Sequence, residues 1–434
     1  MRVTHTTVNI YFNGNTPTAY TDEIITKCII HEEISLISDQ LAPKTCEFSL
    51  YLDPAEWGQT SPKLKRSLKV TVTVHLIDDV YGIDEVKPMG TFFVDSWERE
   101  INNISTIRSV GYLSILGSKN ARGSSMYVPP NVTPIPGYGQ VHRTVGEWFQ
   151  TFFAQSGGAE YELDPSFTNV SMVGTLPHTN MKDYLGRVAF RIGAVVEEDR
   201  SGKFLIYPQE KISTFEIEED RIIPPCKETK NNPISTLKIE TYSYTVPVEQ
   251  TETDVIFSGY LSTSDKVIYF DQPIALFETP PSGITYTGGN VWYKNITVSI
   301  SGSYTLKGIP YREDKNSKIV QSTATTAENS IDIGGNQLIT YYNVNSLSRK
   351  ILETYQFYIS TLEFKYISNG EEVGWFGSFQ IDRVREAVGT IVSQDIDVSG
   401  GLITTAKAQI SGFKSLLNRF TCQSSYTGVG FGLI

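Results

Sequence analysis

Cysteine is scarce in this 434-residue sequence, and its spacing argues against two kinds of site. Only four cysteines are present: Cys28, Cys46, Cys226 and Cys422. None of them forms the close pairs found in metal sites or in thiol redox motifs. We therefore predict that they are small, buried apolar side chains.

Long runs of positive charge and of apolar residues are also absent. The formal net charge is −11, and acidic and basic residues are mixed along the chain. Without a basic run that neutralises phosphates, binding to nucleic acid through an electrostatic surface is not expected. The N-terminus lacks the apolar core of a signal peptide, and no stretch approaches the roughly 20 apolar residues of a membrane helix. The sequence thus predicts a soluble protein made in the cytoplasm, with no membrane span.

Motifs for catalysis and cofactor binding are missing as well. The five histidines show neither the His-x-x-x-His nor the His-Glu-x-x-His spacing of zinc hydrolases. They are His5, His31, His75, His142 and His178. No nucleophile elbow, P-loop or dinucleotide fingerprint is found. We predict that the chain is not an enzyme, and we assign it no cofactor and no catalytic, cofactor-binding or metal-binding residue.

Two acidic clusters, at 197–199 and 218–220, leave one catalytic alternative open. Their carboxylates could supply the general acid and base of a glycan hydrolase. Adjacent carboxylates on a strand or turn point apart, so we expect both clusters to be solvated turns. Asp395 and Asp397 look like a fragment of a metal loop but lack further oxygen ligands, and we expect them on a surface strand.

Aromatic residues are abundant, with 24 tyrosines and 21 phenylalanines. Most lie on apolar periodic faces and are expected in cores. The pairs Tyr341-Tyr342 and Tyr242/Tyr244 are ambiguous. They are either core residues or an exposed site that could stack on sugars.

The length predicts two to four domains, and the first, residues 1–126, is predicted to be β-barrel-like. Apolar and polar residues alternate with a period of two over 46–52 and 68–76, which indicates half-buried strands. Residues 90–97 predict another strand, and 104–116 predict a further pair. Strands with short turns suit a barrel or a strongly curved sheet, which removes exposed edges.

The second predicted domain, 127–233, is an inserted α+β domain. A proline-rich linker at 127–139 marks its start, and prolines between 222 and 233 close it. Its first helix, about 145–156, begins at a capping box formed by Thr144 and Glu147 and ends at Gly157. Its predicted buried face is Val145, Trp148, Phe149, Phe152 and Phe153.

A second helix follows at about 181–193, after the cap residue Asn180. Its predicted buried face is Met181, Leu185, Val188, Ala189 and Ile192. The helix leads into a β-hairpin at 194–208, whose turn is Asp199-Arg200-Ser201-Gly202. Together these elements predict a compact core inside the inserted domain.

Residues 234–434 are predicted to form a second β-barrel-like region. Strands are expected over 235–246, 254–260, 266–270, 291–306 and 362–366, with Ile300 in register with Ile296 and Val298. One helix, about 346–359 and capped by Asn345 or Ser346, interrupts them. A C-terminal hairpin at 396–408 and a glycine-rich tail at 428–432 complete the region.

The order of motifs in the inserted domain resembles a known family. An amphipathic helix with Trp148-Phe149 is followed by the segments 161–166, 174–177, 184–190 and 193–196 and by the hairpin. Two further stretches agree in position, 90–97 and 395–403. This pattern resembles the tail hub, or baseplate hub, proteins of tailed bacteriophages, prophages and tailocins, especially those of Gram-positive hosts.

The resemblance implies a mainly β chain with an inserted α+β domain and two β-barrel hub domains. Three such chains would form a trimeric, pseudo-hexameric ring that matches the hexameric tail tube. It also implies assembly with the tube protein, distal tail or baseplate proteins, a spike or fibre protein and the end of the tape measure. DNA would pass through the lumen without specific binding.

The function that we predict is that of a structural hub protein of a phage tail tip or baseplate. Such a protein connects the tail tube to the spike or fibre apparatus, lines the DNA exit channel, and is found in the virion after assembly in the host cytoplasm. One alternative is a peripheral tail protein that binds host carbohydrate. A second alternative is a tail-associated glycan hydrolase.

Overall fold

The structure is a computed structural model that describes residues 2–36, 38–79, 82–100, 102–121, 124–127, 144–208, 215–232, 234–247, 253–321 and 329–415. It is mainly β, which confirms the predicted fold class at that level. Apart from Tyr127, the predicted proline-rich linker lies outside the described residues, as does the predicted glycine-rich tail.

Seven strands form the first β unit, which covers residues 2–110. They are β1 (Arg2–Asn13), β2 (Thr16–Thr21), β3 (Ile25–Glu33), β4 (Thr45–Tyr51), β5 (Lys69–Asp78), β6 (Ile83–Arg99) and β7 (Ile104–Val110), with helix α1 (Pro54–Thr60) and a 3₁₀ turn (Ser61–Lys63) before β5. The order across the sheet is β3-β4-β7-β6-β5-β1-β2. The alternation predicted along β5 is confirmed, since Val70, Val72, Val74 and Leu76 are fully buried.

The sheet of the first β unit wraps around a single core to which all seven strands contribute. The Oγ1 atom of Thr6 on β1 donates to the Val398 carbonyl at 3.1 Å. The Val398 amide in turn donates to the Cys28 carbonyl on β3 at 2.8 Å. Strands β1 and β3, which are distant in sheet order, are thus tied to one residue near the end of the chain.

Of the two strands predicted within 104–116, the first is present as β7, but the prediction of a second strand is wrong. After β7 the chain turns into helix α2 (Tyr112–Gly117). The carboxylate of Glu198 accepts hydrogen bonds from the amides of Tyr112, at 2.8 Å, and of Leu113, at 3.0 Å. A side chain 85 residues away thus satisfies the first amides of the helix, which local sequence does not reveal.

The helical block, residues 111–208, contains the predicted α+β elements. Helices are α3 (Val145–Ser156), α4 (Pro165–Thr168) and α5 (Met181–Ile192); strands are β8 (Asn120–Ala121), β9 (Ser124–Tyr127), β10 (Tyr161–Leu163), β11 (Gly174–Leu176), β12 (Thr179–Asn180), β13 (Ala194–Glu198) and β14 (Phe204–Pro208). Strands β13 and β14 pair antiparallel, which confirms the predicted hairpin. Strand β10 adds to β14 in parallel.

Capping residues close in sequence determine where both long helices of the block begin and end. The Thr144 hydroxyl accepts from the Glu147 amide at 3.2 Å, and Asn180 caps α5 through the Asp183 amide at 2.9 Å. Gly157 and Gly193 end the helices in the left-handed conformation. All ten apolar residues predicted on the two buried faces are buried in one core, as predicted.

Six strands form the second β unit, two from residues 216–230 and four from residues 360–415. They are β15 (Glu216–Ile217), β16 (Ile222–Lys230), β26 (Ser360–Ile367), β27 (Phe376–Asp382), β28 (Arg385–Asp397) and β29 (Ile403–Ser415). They surround their own apolar core. The segment 222–230, expected to close the inserted domain, is a strand at the edge of this unit.

The hairpin of β28 and β29 joins the two β units. The first half of β28 pairs with β27, its second half pairs with β3, and β29 runs along its other side. One 13-stranded sheet therefore contains strands from both units. The described strands do not form a closed barrel.

Residues 236–357 contribute two further large cores and one small apolar cluster, where the sequence predicted one β region. In the first core, helix α6 (Val344–Phe357) packs on strands β17 (Thr236–Thr245), β24 (Arg312–Gln321) and β25 (Ser330–Ile333). The second core is a sandwich of six strands: β18 (Asp254–Leu261), β19 (Ser264–Tyr269), β20 (Ile274–Phe277), β21 (Ile284–Gly289), β22 (Tyr293–Val298) and β23 (Gly302–Pro310). Helix α6 begins after Asn343, two residues before the predicted cap. Ile300 is 63% exposed because it lies in the turn between β22 and β23, not in register with Ile296.

A buried polar junction holds the helical block against both β units. Its five members are Glu32, Arg200, Arg221, Glu371 and Gln394. Arg200 forms a bidentate ion pair with Glu32, with N–O distances of 3.1 and 3.3 Å. The Gln394 amide donates to Glu32 at 2.7 Å, and Arg200 also donates to the Glu371 carbonyl at 2.9 Å. Arg221 pairs with the Glu371 carboxylate.

The ion pairs keep both glutamates of the junction charged despite their burial. Burial alone would raise the pKa of Glu32, but the Arg200 charge, Lys44 and the two hydrogen bonds lower it below its ordinary value of 4.5. The same balance of burial against Arg221 lowers the pKa of Glu371. The charges are therefore maintained only while their partners are in place.

Replacing Gly186 with alanine is expected to destabilise the fold, because a Cβ on this α5 residue would overlap the Asp39 carbonyl. We expect a loss of about 1–3 kcal/mol in the free energy of unfolding, measured with a chemical denaturant. Gly58→Ala is the matched control, since that exposed helical glycine has open space around it. The control should gain up to about 1 kcal/mol, and equal losses in both variants would contradict the packing argument.

Glu32→Gln is expected to cost about 3–5 kcal/mol at pH 7, because it leaves Arg200 buried without a counter-charge. The folded-state pKa of Glu32 is lowered, so its contribution is present above pH 4.5 and is lost as pH falls below that value. The difference in the free energy of unfolding between the parent protein and Glu32→Gln should therefore become smaller at acidic pH. Glu98→Gln removes an exposed partner of Arg108 and should change stability little. A gap that does not depend on pH would contradict this account.

Candidate assembly surfaces

The acidic cluster at 197–199 is not the solvated turn that its sequence indicated. Glu197 and Glu198 are 2% and 6% exposed, and only Asp199 lies in the turn. Glu197 accepts from the Tyr207 hydroxyl at 2.6 Å, and Glu198 caps α2. Burial raises the pKa of Glu198 against the opposing effect of Lys44 and the two amides. Both carboxylates thus have structural partners and no open face toward a substrate.

The other acidic candidates lie on the surface. Glu218 and Asp220 are exposed around a short 3₁₀ turn, as expected. Asp395 and Asp397 lie on β28, where Asp397 accepts from the Gly400 amide of the hairpin turn at 2.8 Å. In the described part of the chain, no three histidine, cysteine or acidic residues are grouped so that they could hold a metal ion.

Three of the described histidines lie on exposed sheet surface beside carboxylates. His31 contacts Asp395 at 2.8 Å, His75 contacts Asp84 at 2.8 Å, and His5 contacts Asp22 at 3.1 Å. His178 packs on the ring of Tyr269, with ring centroids 4.1 Å apart. His142 lies outside the described residues.

The cysteines are free thiols where they are described. Cys28 and Cys46 are buried in the core of the first β unit, which confirms their predicted role. Cys226 is partly buried on β16. Cys422 lies outside the described residues.

The two ambiguous tyrosine pairs differ in the structure. Tyr242 is buried, and its hydroxyl donates to Glu240 at 2.6 Å. Tyr341 and Tyr342 are 81% and 70% exposed, and their rings meet edge to face with centroids 6.2 Å apart. Only in the second pair are both tyrosines exposed.

Strands β2, β16 and β24 are among the described strands that leave an exposed sheet edge. Strand β2 ends the large sheet on one side and β16 ends it on the other, and each pairs with a single strand. Strand β24 pairs only with β17, and most of its residues are exposed. Unpaired backbone groups on an edge strand can pair with another chain. These edges and the Tyr341–Tyr342 pair are the candidate assembly surfaces.

The sequence carries no local sign of the polar junction. Arg200 lies in the predicted hairpin turn, but nothing near Glu32, Glu371 or Gln394 in the sequence indicates that they meet it. They meet because β3, the β13–β14 turn and β28 converge in the fold.

Among the described residues, no helix has the length and apolar character needed to cross a bilayer.

Comparison with known proteins gives matches of structure only. No family model and no curated protein matches the chain. The tail protein from Neisseria meningitidis MC58 superposes with a TM-score of 0.51 at 9% identity, over 94% of this chain and 96% of that chain. The 43 kDa tail protein of prophage MuSo2 from Shewanella oneidensis gives 0.49 at 10% identity, over 93% and 98%. Prophage tail protein gp18 from Listeria monocytogenes EGD-e gives 0.45 at 10% identity, over 96% and 97%.

The match to the Neisseria protein bears on the fold, because it extends over nearly all of both chains. It includes the helical block as well as the two β units, since only 6% of this chain is left out. The resemblance to tail proteins noted in the sequence is thus confirmed at this level. This chain has the fold of a solved tail protein over almost its whole length.

Proposed function

We propose that this chain is a structural component of a phage-type tail, and more specifically the hub protein of a tail tip or baseplate. The observation that carries the proposal is the pair of curved β units fused through the shared hairpin of β28 and β29. One chain thereby holds two β units, each with its own core, in a fixed relation within one sheet. The division into two hub domains with the helical block inserted between them is part of this proposal.

Symmetry explains how such a chain would serve as a hub. Three chains with two β units each present six similar positions, which match a hexameric tail tube. A closed ring also needs contacts between different surfaces of neighbouring subunits. The exposed edges at β2 and β16 lie at opposite ends of the large sheet and supply backbone groups for such contacts.

The proposed role is not enzymatic. Glu197 and Glu198, from one of the two candidate acid–base clusters, are buried and hold the helical block together. The hub would connect the tube to a spike or fibre protein at the tail tip, next to distal tail proteins and the end of the tape measure. The formal charge of −11 favours a channel that does not retain DNA as it passes.

Mass measurement of the purified chain tests the hub proposal. We expect a species of three times the 48.5 kDa chain mass at micromolar concentration, by mass photometry or native mass spectrometry. Electron microscopy of that species should show a ring with six β lobes. A chain that stays monomeric up to high micromolar concentration, or a dimer, would contradict the proposed ring.

Carbohydrate binding is a second candidate function, favoured by the exposed Tyr341–Tyr342 pair. In that case Tyr341→Ala and Tyr342→Ala should abolish binding to a glycan array of host cell-wall sugars. Tyr260→Ala is the matched control, because Tyr260 is 70% exposed in the sandwich. Binding that is absent, or equally reduced in all three variants, would rule out a sugar site at this pair.

Clearing of purified host cell walls, followed as turbidity, tests the non-enzymatic role. We expect no clearing by the full chain, with lysozyme as the positive control. Clearing that persists after further purification would overturn the proposal and favour the glycan hydrolase.

A further inference from the structure

Two histidines lie side by side on the outer surface of the first β unit. His5 on β1 and His75 on β5 are direct partners in the antiparallel register, so their side chains lie on the same face of the sheet. Their ring centroids are 6.3 Å apart. The side chains are 59% and 41% exposed, so both are accessible to solvent ions.

Each histidine has one ring nitrogen beside a carboxylate and one that is available. The Nδ1 atom of His5 lies 3.1 Å from Asp22, and the Nε2 atom of His75 lies 2.8 Å from Asp84. Nε2 of His5 and Nδ1 of His75 have no hydrogen bond in the described structure. A carboxylate on one nitrogen fixes the tautomer in which the other nitrogen carries a lone pair, as it does for histidines that ligate metals.

We propose that His5 and His75 form a surface site for a divalent transition-metal ion of the zinc class. Neutral imidazole is a favoured ligand of zinc, copper and nickel ions. Two rings on one tetrahedral zinc, at about 2.0–2.1 Å per bond, would have centroids roughly 5 Å apart. The observed separation is 6.3 Å, so a small shift of each exposed side chain, with its carboxylate contact retained, would bring the rings to that distance. Asp22 and Asp84 hold the rings and add negative charge near the ion.

The site has two protein ligands, and water occupies the remaining positions. Such an open site binds an ion more weakly than a closed structural zinc site with four protein ligands. A bound ion would link β1 to β5 and stabilise the folded chain by mass action. The spacing of the two histidines, 70 residues apart in sequence, hides the pair from any motif search.

Titration of the metal-free, tag-free full chain with Zn²⁺ tests the site. We expect saturable binding of one ion per chain by calorimetry and a rise in melting temperature with added Zn²⁺. His5→Asn and His75→Asn should each abolish this binding. Asp84→Asn should weaken it by about 10–100-fold, because the ring loses its orienting partner.

His31→Asn is the matched control, since His31 is an exposed strand histidine beside a carboxylate but far from this pair in sheet order. That variant should bind as the parent does. Cu²⁺ bound to the parent should show electron paramagnetic resonance couplings to two imidazole nitrogens. No saturable Zn²⁺ binding, binding that survives in both single variants, or coupling to a single nitrogen would overturn the proposal.

Discussion

Arg200 and Glu32 carry opposite charges in a place that water does not reach, and the arrangement of the whole chain depends on their pairing. Each charge would be costly to bury alone, so the two must stay together. Arg200 comes from the turn of the β13–β14 hairpin, and Glu32 comes from strand β3. Gln394 and Glu371 extend the contact into the second β unit. The ion pair therefore fixes three parts of the molecule relative to one another.

The β28–β29 hairpin supplies the matching constraint in the backbone. Because β28 pairs with β27 along one half and with β3 along the other, the two β units cannot turn independently without breaking hydrogen bonds. The buried ion pair and the shared strand β28 are in direct contact, because Gln394, which donates to Glu32, is a residue of β28. The ring that we propose would need such a rigid pair of β units, because each chain would occupy two of its positions. The surfaces left for assembly are then the outer edges and the exposed tyrosines.

Local structure followed from local sequence wherever one face of an element was apolar. Helices α3 and α5 were predicted with their caps and buried faces, because Thr144 and Asn180 satisfy amides within a few residues. Helix α2 was missed because its amides are satisfied by Glu198, which is distant in sequence. The solvated turn predicted at 197–199 is wrong for a related reason, because the polar partners of Glu197 and Glu198 come close only when the chain folds. The pairing of His5 with His75 likewise needs the register of β1 against β5.

The sequence by itself determined the mainly β class, the two long helices of the block, the β13–β14 and C-terminal hairpins, and the resemblance to tail proteins. These depend on hydrophobic period, capping and turn residues, which act over a few positions. Only the tertiary structure decided that both β units belong to one sheet, that residues 236–357 build apolar cores of their own, and that Glu197 and Glu198 are buried. Those outcomes depend on which distant strands pair and which charges meet out of water, and the energy of such contacts is not encoded in any single stretch of chain.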